Sequence, residues 1–558
     1  FYNPRTAATS VVIDLARARG KEALPIFVGH CSTMLNEALN ATQMALLAQK
    51  GGALLCLGAL HDRLHKKAEY ADKLEGMLYM HVLPELQSKA GFMRARAVWV
   101  FGQFAKSVFA NGGATQPAQF QEVFNRAMAL LGDPELPVRV QAALAINGFV
   151  EANCAPEAVL AVLPRLVDAL FKLMNDIGNE EVVQTLDNLI ERYGEQMAPY
   201  AVQIVGALAQ NFLRLFEEQE DDEDDDALAA MWVLQAISTM MEAVSEKPEV
   251  YVQMEAALMP LLHKMMGESA REYFEDVNEV LSYLTYYSPA ISDELWTIFP
   301  RLHEAFHTWA FEYVNNMLVP IDNFISRATE RFITGGAMVG DEATPYLAMV
   351  MSICRATLTT HAQNLPDQEQ HGACKLLESL LHNCHGRIDA QVPEVLSLAL
   401  MRLEALLAAE EGRRKDGSVH SMVTLLYNVL SSALHYNAAL ALQVLQHRHQ
   451  AGWHATLHGW MQHLTTCPKL RLHDLKCGVL AVASLLALPP AQAPEIISRN
   501  PLMLVQSGMT LLQAMEGKRA ADKSDEAAAL GANAAAEDGD DDDDELDDDE
   551  DGGSESGG

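Results

Sequence analysis

No stretch of this 558-residue sequence approaches the roughly 20 apolar residues a helix needs to cross a bilayer. The longest candidate, 479–488, stops at Pro489 and Pro490. Aromatic residues are scarce at 7%, whereas hydrophobic residues as a whole reach 49% with abundant Ala, Leu and Met. That balance disfavours sheets, which use β-branched and aromatic side chains, and suits packed helices. No CxxC pair occurs, because Cys31, Cys56, Cys154, Cys354, Cys374, Cys384, Cys467 and Cys477 stand singly. A chain this long needs no covalent staples, so reduced thiols of a cytosolic or nuclear protein are expected. There is no P-loop, no GxGxxG after a strand and no GxSxG elbow, so nothing points to an enzyme or a cofactor. A basic surplus is missing too: 40 Lys and Arg face 75 Asp and Glu, for a net charge of −35. Direct nucleic-acid binding, which is driven by neutralising phosphates, is thereby disfavoured.

The acids are concentrated. Residues 217–226 (EEQEDDEDDD) carry nine and 537–551 carry thirteen, and outside these two runs the balance is only −13. Such runs repel themselves, remain solvated and attract basic partners. The first reads as an exposed loop between two helices. Its acids, Glu217, Glu218, Glu220, Asp221, Asp222, Glu223, Asp224, Asp225 and Asp226, are the candidate binding residues, expected to open onto the concave face of a helical array. Beyond Gly517 large apolar residues almost vanish, and 517–558 reads as a disordered acidic tail.

The body of the chain repeats. In 130–150, Val138, Ala142, Ala145 and Phe149 fall at i, i+4, i+7 and i+11, one apolar stripe of a helix. Asp133-Pro134 supplies a start signal for it. Forty-five residues earlier Met93, Ala97, Val100 and Phe104 occupy the same places, and Arg94 matches Arg139. Between such helices others are expected to begin near apolar–Pro pairs: Leu83-Pro84, Leu163-Pro164, Met259-Pro260, Phe299-Pro300, Thr344-Pro345 and Val392-Pro393. A period of about 40–47 residues with two helices per unit is that of HEAT and armadillo repeats. The expected architecture is an all-α superhelical solenoid of about ten or eleven HEAT repeats over 1–516, since each unit buries its stripe only by stacking on neighbours. Arg94 and Arg139 are expected to bond between repeats. The opening segment already reads as helix, so the chain is expected to begin inside a larger fold.

Two motifs carry potential metal chemistry. His303-Glu304-Ala305-Phe306-His307 is an HExxH, which on a helix can ligate zinc. The extended form would need Gly at 310 and His at 313, where Ala310 and Tyr313 stand, and Leu295, Ile298, Leu302, Phe306 and Trp309 make an ordinary core stripe on the same segment. The cluster His371, Cys374, His382, Cys384 and His385 matches no zinc module, and Cys374, Leu377 and Leu381 share a helical face. No metal site is expected at either.

KGGALLCLGAL (50–60), GFMRARAVWVFGQF (91–104) and DPELPVRVQAALAI (133–146) resemble consecutive repeats of the karyopherin-β family, in particular receptors of the importin seven and eight type. The likeness continues through the acidic run, EYFEDVNEVLSYLT (272–285) and FEYVNNMLVPIDNFI (311–325). The resemblance implies a receptor, shuttling between cytoplasm and nucleus, that carries protein cargo through nuclear pores under control of the small GTPase Ran. It implies contacts with pore proteins, and a main Ran surface in N-terminal repeats that this chain lacks. The acidic loop would meet Ran or basic cargo. The alternatives are an export receptor of the same superfamily and a static HEAT scaffold subunit.

Overall fold

The stripe of 130–150 folds as the helix Leu136–Glu151, and its four apolar residues are all buried. So are Met93, Ala97, Val100 and Phe104 around the helix Gly91–Gln103. These two second helices of successive repeats pack on each other, and they do so closely. A Cβ on Gly148 would lie 2.7 Å from the carbonyl oxygen of Gly102, so the crossing admits only glycine there.

The computed structural model describes residues 3–109, 117–154, 156–176, 180–218, 225–410, 419–448, 452–489, 492–493, 498–499 and 501–536. Their contacts divide into two compact units, Phe1–Ala328 and Thr329–Gly558. In the first, seven helix pairs follow one another. Their second helices form a row: Met44–Ala59, Gly91–Gln103, Leu136–Glu151, Glu180–Met197, Asp225–Ala243, Phe274–Tyr287 and Val314–Arg327. In the second unit three pairs are built around His371–Asn383, Val419–Arg448 and Leu472–Leu486. The helix Val419–Arg448 breaks at Asn437, whose side chain caps the following turn by accepting from the Leu440 N–H at 3.0 Å.

Polar side chains stitch neighbouring repeats together. Arg94 donates from Nε and Nη2 to the two oxygens of Asp133, both at 2.8 Å, and Arg139 reaches Asp176 at 2.7 Å. The buried Arg94 contact holds the Asp133 carboxyl below its ordinary range. Arg126, Arg214 and Arg301 donate to the carbonyls of Leu83, Met174 and His263, and Arg327 to those of Thr285 and Ser288. Each acceptor lies about one repeat earlier, at or near a helix end that otherwise leaves carbonyls unpaired.

Three sequence expectations meet differences. The helix after Asp133-Pro134 starts at Leu136, not at Pro134, because Asp133 is engaged by Arg94 and accepts from the Glu135 N–H at 2.9 Å. Leu83-Pro84, Phe299-Pro300, Thr344-Pro345 and Val392-Pro393 do stand at or near helix starts. Pro164 and Pro260 instead lie inside Pro156–Asp176 and Pro248–Lys264. Each removes one i→i−4 bond in a helix that neighbours hold in place. Finally, the last helix runs Pro501–Ala536, past the boundary placed at 516. Its Ala-rich second half favours helix without supplying an apolar stripe; residues 537–558 lie outside the described residues.

Among the described residues the one sheet is a two-stranded hairpin in the second unit, Gly336–Val339 paired antiparallel with Glu342–Pro345. Its two-residue turn places Gly340 at φ 59°, the conformation that a first-position glycine gives a type II′ turn.

Candidate partner-binding surface

Phe274–Tyr287 and Val314–Arg327 come from the stretches 272–285 and 311–325 and pack side by side in the row of second helices. Their apolar sides are committed to the core: Phe274, Val277, Val280, Leu281 and Leu284 on one, Val314, Met317, Ile321 and Phe324 on the other. Spacing alone then decides what faces outward, since residues one turn apart share a side. Glu275, Glu279, Tyr283 and Tyr286 line an open groove of ≈ 550 Å³ opposite Asn315, Asn316 and Val319. Tyr286 is 57% exposed, a large aromatic surface left in water.

The groove is electrostatically one-sided. Burial, then Glu275 and Glu279, push the Asp276 carboxyl up to about 6. Glu279 is also raised, chiefly by burial, with Glu242 and Glu275 adding to it. Burial, then Glu279 and Glu242, push the Tyr283 phenol up to about 12. Among the described residues no Lys or Arg forms an ion pair with Glu275, Asp276 or Glu279. Crowded carboxylates without a counterion favour a cationic ligand, and exposed tyrosine faces add cation–π attraction.

A pH dependence follows. A carboxyl whose value rises from an ordinary 3.8 to about 6 on folding binds its proton more tightly in the folded state. Its contribution to stability therefore grows as pH falls through that window and is lost as pH rises through about 6. A cation competes with that proton, so affinity for a Lys/Arg-rich peptide is expected to drop between pH 7 and pH 5. Asp276→Asn should flatten this drop at fixed ionic strength, as read by fluorescence anisotropy. An unchanged profile in the variant would remove Asp276 from the surface.

Of the nine acids expected to bind, Glu217 is exposed and pairs with Lys264 at 2.5 Å. Glu218 ends the helix Ala201–Glu218, while Asp225 and Asp226 begin Asp225–Ala243. Glu220, Asp221, Asp222, Glu223 and Asp224 lie outside the described residues, as does the expected opening of their loop. The groove acids Glu275 and Glu279, with Asp276 beside them, were missed as a site by sequence reasoning. The signal was present: three acids and two tyrosines on the polar side of one amphipathic helix.

The HExxH lies on the helix Ile298–Thr308, with Leu302 and Phe306 buried and the His303 and His307 ring centroids 4.5 Å apart. Burial, with His307 beside it, brings His303 down to about 4. Among the described residues this pair joins no third metal-type donor; Cys374 and Cys384 are buried thiols. The donors that do converge are Glu378, His473 and Cys477.

No protein-family model matches the chain. It is 36% identical over 507 residues to the importin beta-like SAD2 homolog of Arabidopsis thaliana, covering 88% of this chain and 46% of that protein. It is 28% identical over 502 residues to importin-8 of Homo sapiens, covering 88% of this chain and 45% of that protein. The chain thus spans about half the length of these curated relatives. Among solved structures the exportin Cse1, in its cargo-free, cytoplasmic state, matches 91% of this chain and 51% of its own. The TM-score is 0.63 at 14% identity, which shows the shared solenoid fold. With relatives that are importins and a fold of stacked HEAT repeats, the chain belongs to the importin-β (karyopherin-β) family as a non-enzymatic member akin to the importin-7 and importin-8 type.

Proposed function

We propose that the chain forms the cargo-holding part of a nuclear transport receptor, shuttling between cytoplasm and nucleus. Basic protein cargo is held through carboxylates and tyrosines, and Ran governs its release. The observation that carries this reading is the groove of Glu275, Glu279, Tyr283 and Tyr286, with Asp276 beside it, in a chain akin to importins. The nine acids of 217–226 extend the same preference for basic partners, Ran or cargo, and pore proteins belong to the proposed cycle as passing contacts. Exposed charges attract at range and are screened by salt, so binding should weaken as ionic strength rises.

Two sets of variants test this: Glu275→Gln, Asp276→Asn and Glu279→Gln combined, and the nine loop acids replaced by Ser and Gly. Each exposed pair contributes up to about 1 kcal/mol, so the groove triple should weaken a basic cargo about tenfold and reduce the salt slope. Unchanged affinity and salt slope in both sets would sink the reading. A pull-down with GTP-locked and GDP-locked Ran fixes direction. Cargo displaced by the GTP form supports import; cargo retained only with it makes the chain part of an export receptor. Indifference to both forms removes Ran from the surfaces this chain carries.

A further inference from the structure

In the second unit the helices His371–Asn383 and Leu472–Leu486 bring together three side chains of different chemistry. Nε2 of His473 lies 2.8 Å from Oε2 of Glu378 and 3.5 Å from Sγ of Cys477, and Sγ lies 4.0 Å from the same Oε2. His473 and Cys477 are one turn apart, so the helix itself sets their spacing. We propose that Glu378, His473 and Cys477 form a binding site for a divalent transition metal of the zinc type.

The distances carry the argument first. A tetrahedral zinc with its usual bonds of about 2.0–2.3 Å to O, N and S holds its donors about 3.3–3.6 Å from one another. The three observed separations bracket that range, so small side-chain rotations close the site without moving either helix. The donor set is second. One thiolate, one imidazole and one carboxylate suit zinc and its neighbours rather than calcium or magnesium, which take oxygen ligands.

Burial is third. The Glu378 side chain is only 6% exposed, and its Oε1 is buried without a hydrogen-bond partner. A carboxylate oxygen in that position costs free energy unless something positive reaches it, and a metal gripped by both oxygens does. Cys477 is 3% exposed, while His473 is open to solvent along one side and leaves an entry path. Asp474 does not compete for the site, because it is already bonded to Arg471 and Asn428. The Arg471 guanidinium lies near enough to act on Glu378 and Cys477, and is the charge a metal would have to outcompete. Three protein ligands leave a fourth position for a water, and His382, one turn beyond Glu378, has its ring 6.4 Å from that of His473.

Cobalt(II) is the probe, titrated into the purified reduced 558-residue chain, with zinc as competitor. One equivalent should bind with thiolate-to-cobalt charge-transfer absorption in the near ultraviolet, and equimolar zinc should erase it. Cys477→Ser should abolish that absorption, and His473→Gln should weaken zinc at least about tenfold, the scale of lost metal-site contacts. His473 is largely exposed, so its replacement leaves the core packed; unchanged circular dichroism confirms folding. No stoichiometric uptake by the parent chain, or an absorption that survives Cys477→Ser, overturns the proposal. Because seven other cysteines are present, the serine variant separates this site from adventitious thiolate binding.

Discussion

Phe149→Ala is expected to destabilise its repeat by about 3–5 kcal/mol, the range for truncating a buried phenylalanine. The ring is wholly buried and meets Phe109, Phe120 and Phe124 at centroid distances of 6.4, 5.6 and 6.4 Å. Phe109 and Phe120 also touch each other, so the four rings form one cluster spanning two repeats. Removing the central ring leaves a cavity bounded by rigid aromatic walls that cannot easily collapse, which places the cost high in that range. Hydrogen exchange is the suitable measurement, because a repeat array loses structure locally. Protection should fall most in Pro117–Leu130 and Leu136–Glu151 and less in Asp225–Ala243, two repeats on. Uniform protection across the first unit would show that the cluster is not a local keystone.

Glu85→Ala should be comparably damaging for a different reason. Lys50 is fully buried, and its Nζ meets Oε1 of Glu85 at 2.7 Å. Deleting the carboxylate strands an ammonium in the core, at a cost of about 3–5 kcal/mol. His81 offers no substitute, since burial and Lys50 itself lower its pKa and keep the ring neutral. Replacing both partners, Lys50→Met with Glu85→Leu, should restore most of the loss, because an apolar pair of similar volume avoids the desolvation of two charges. The comparison is read by urea unfolding and by exchange in Met44–Ala59. A double variant as unstable as Glu85→Ala would show that packing, not charge, is at stake.

Neither the ring cluster nor this ion pair is visible in a linear reading, whereas the stripe containing Phe149 is. Val138, Ala142, Ala145 and Phe149 declare themselves because an α-helix repeats every 3.6 residues, and a matching stripe 45 residues away fixes the repeat. Lys50 and Glu85 are 35 residues apart, and their meeting depends on how one helix pair lies on the next. Helix starts were legible where proline stands at one, as at Val392-Pro393, and misleading at Pro164 and Pro260, where neighbouring packing outweighs the lost bond. The hairpin Gly336–Pro345 had its signal in the short Gly340-Asp341 turn between strand-like residues, masked by the helical context. At the candidate surface, the eye is drawn to the dense run 217–226. Three acids dispersed over Glu275–Glu279 look like any solvated helix face until folding shows that, among the described residues, no Lys or Arg pairs with them.

The arginine links between repeats bear on mechanics. In the first unit these links join one repeat to the next: Arg94 to Asp133, Arg139 to Asp176, Arg214 to the Met174 carbonyl, Arg327 to those of Thr285 and Ser288. Elements connected only to their neighbours behave as springs in series, whose compliances add. A link contributing about 1–3 kcal/mol can lengthen or re-form by itself while the apolar stripes stay packed. A fraction of an ångström at each junction then accumulates along seven helix pairs into a change of pitch. Under the proposed function, such a stack is expected to fit cargoes of different girth by stretching, without unfolding any repeat.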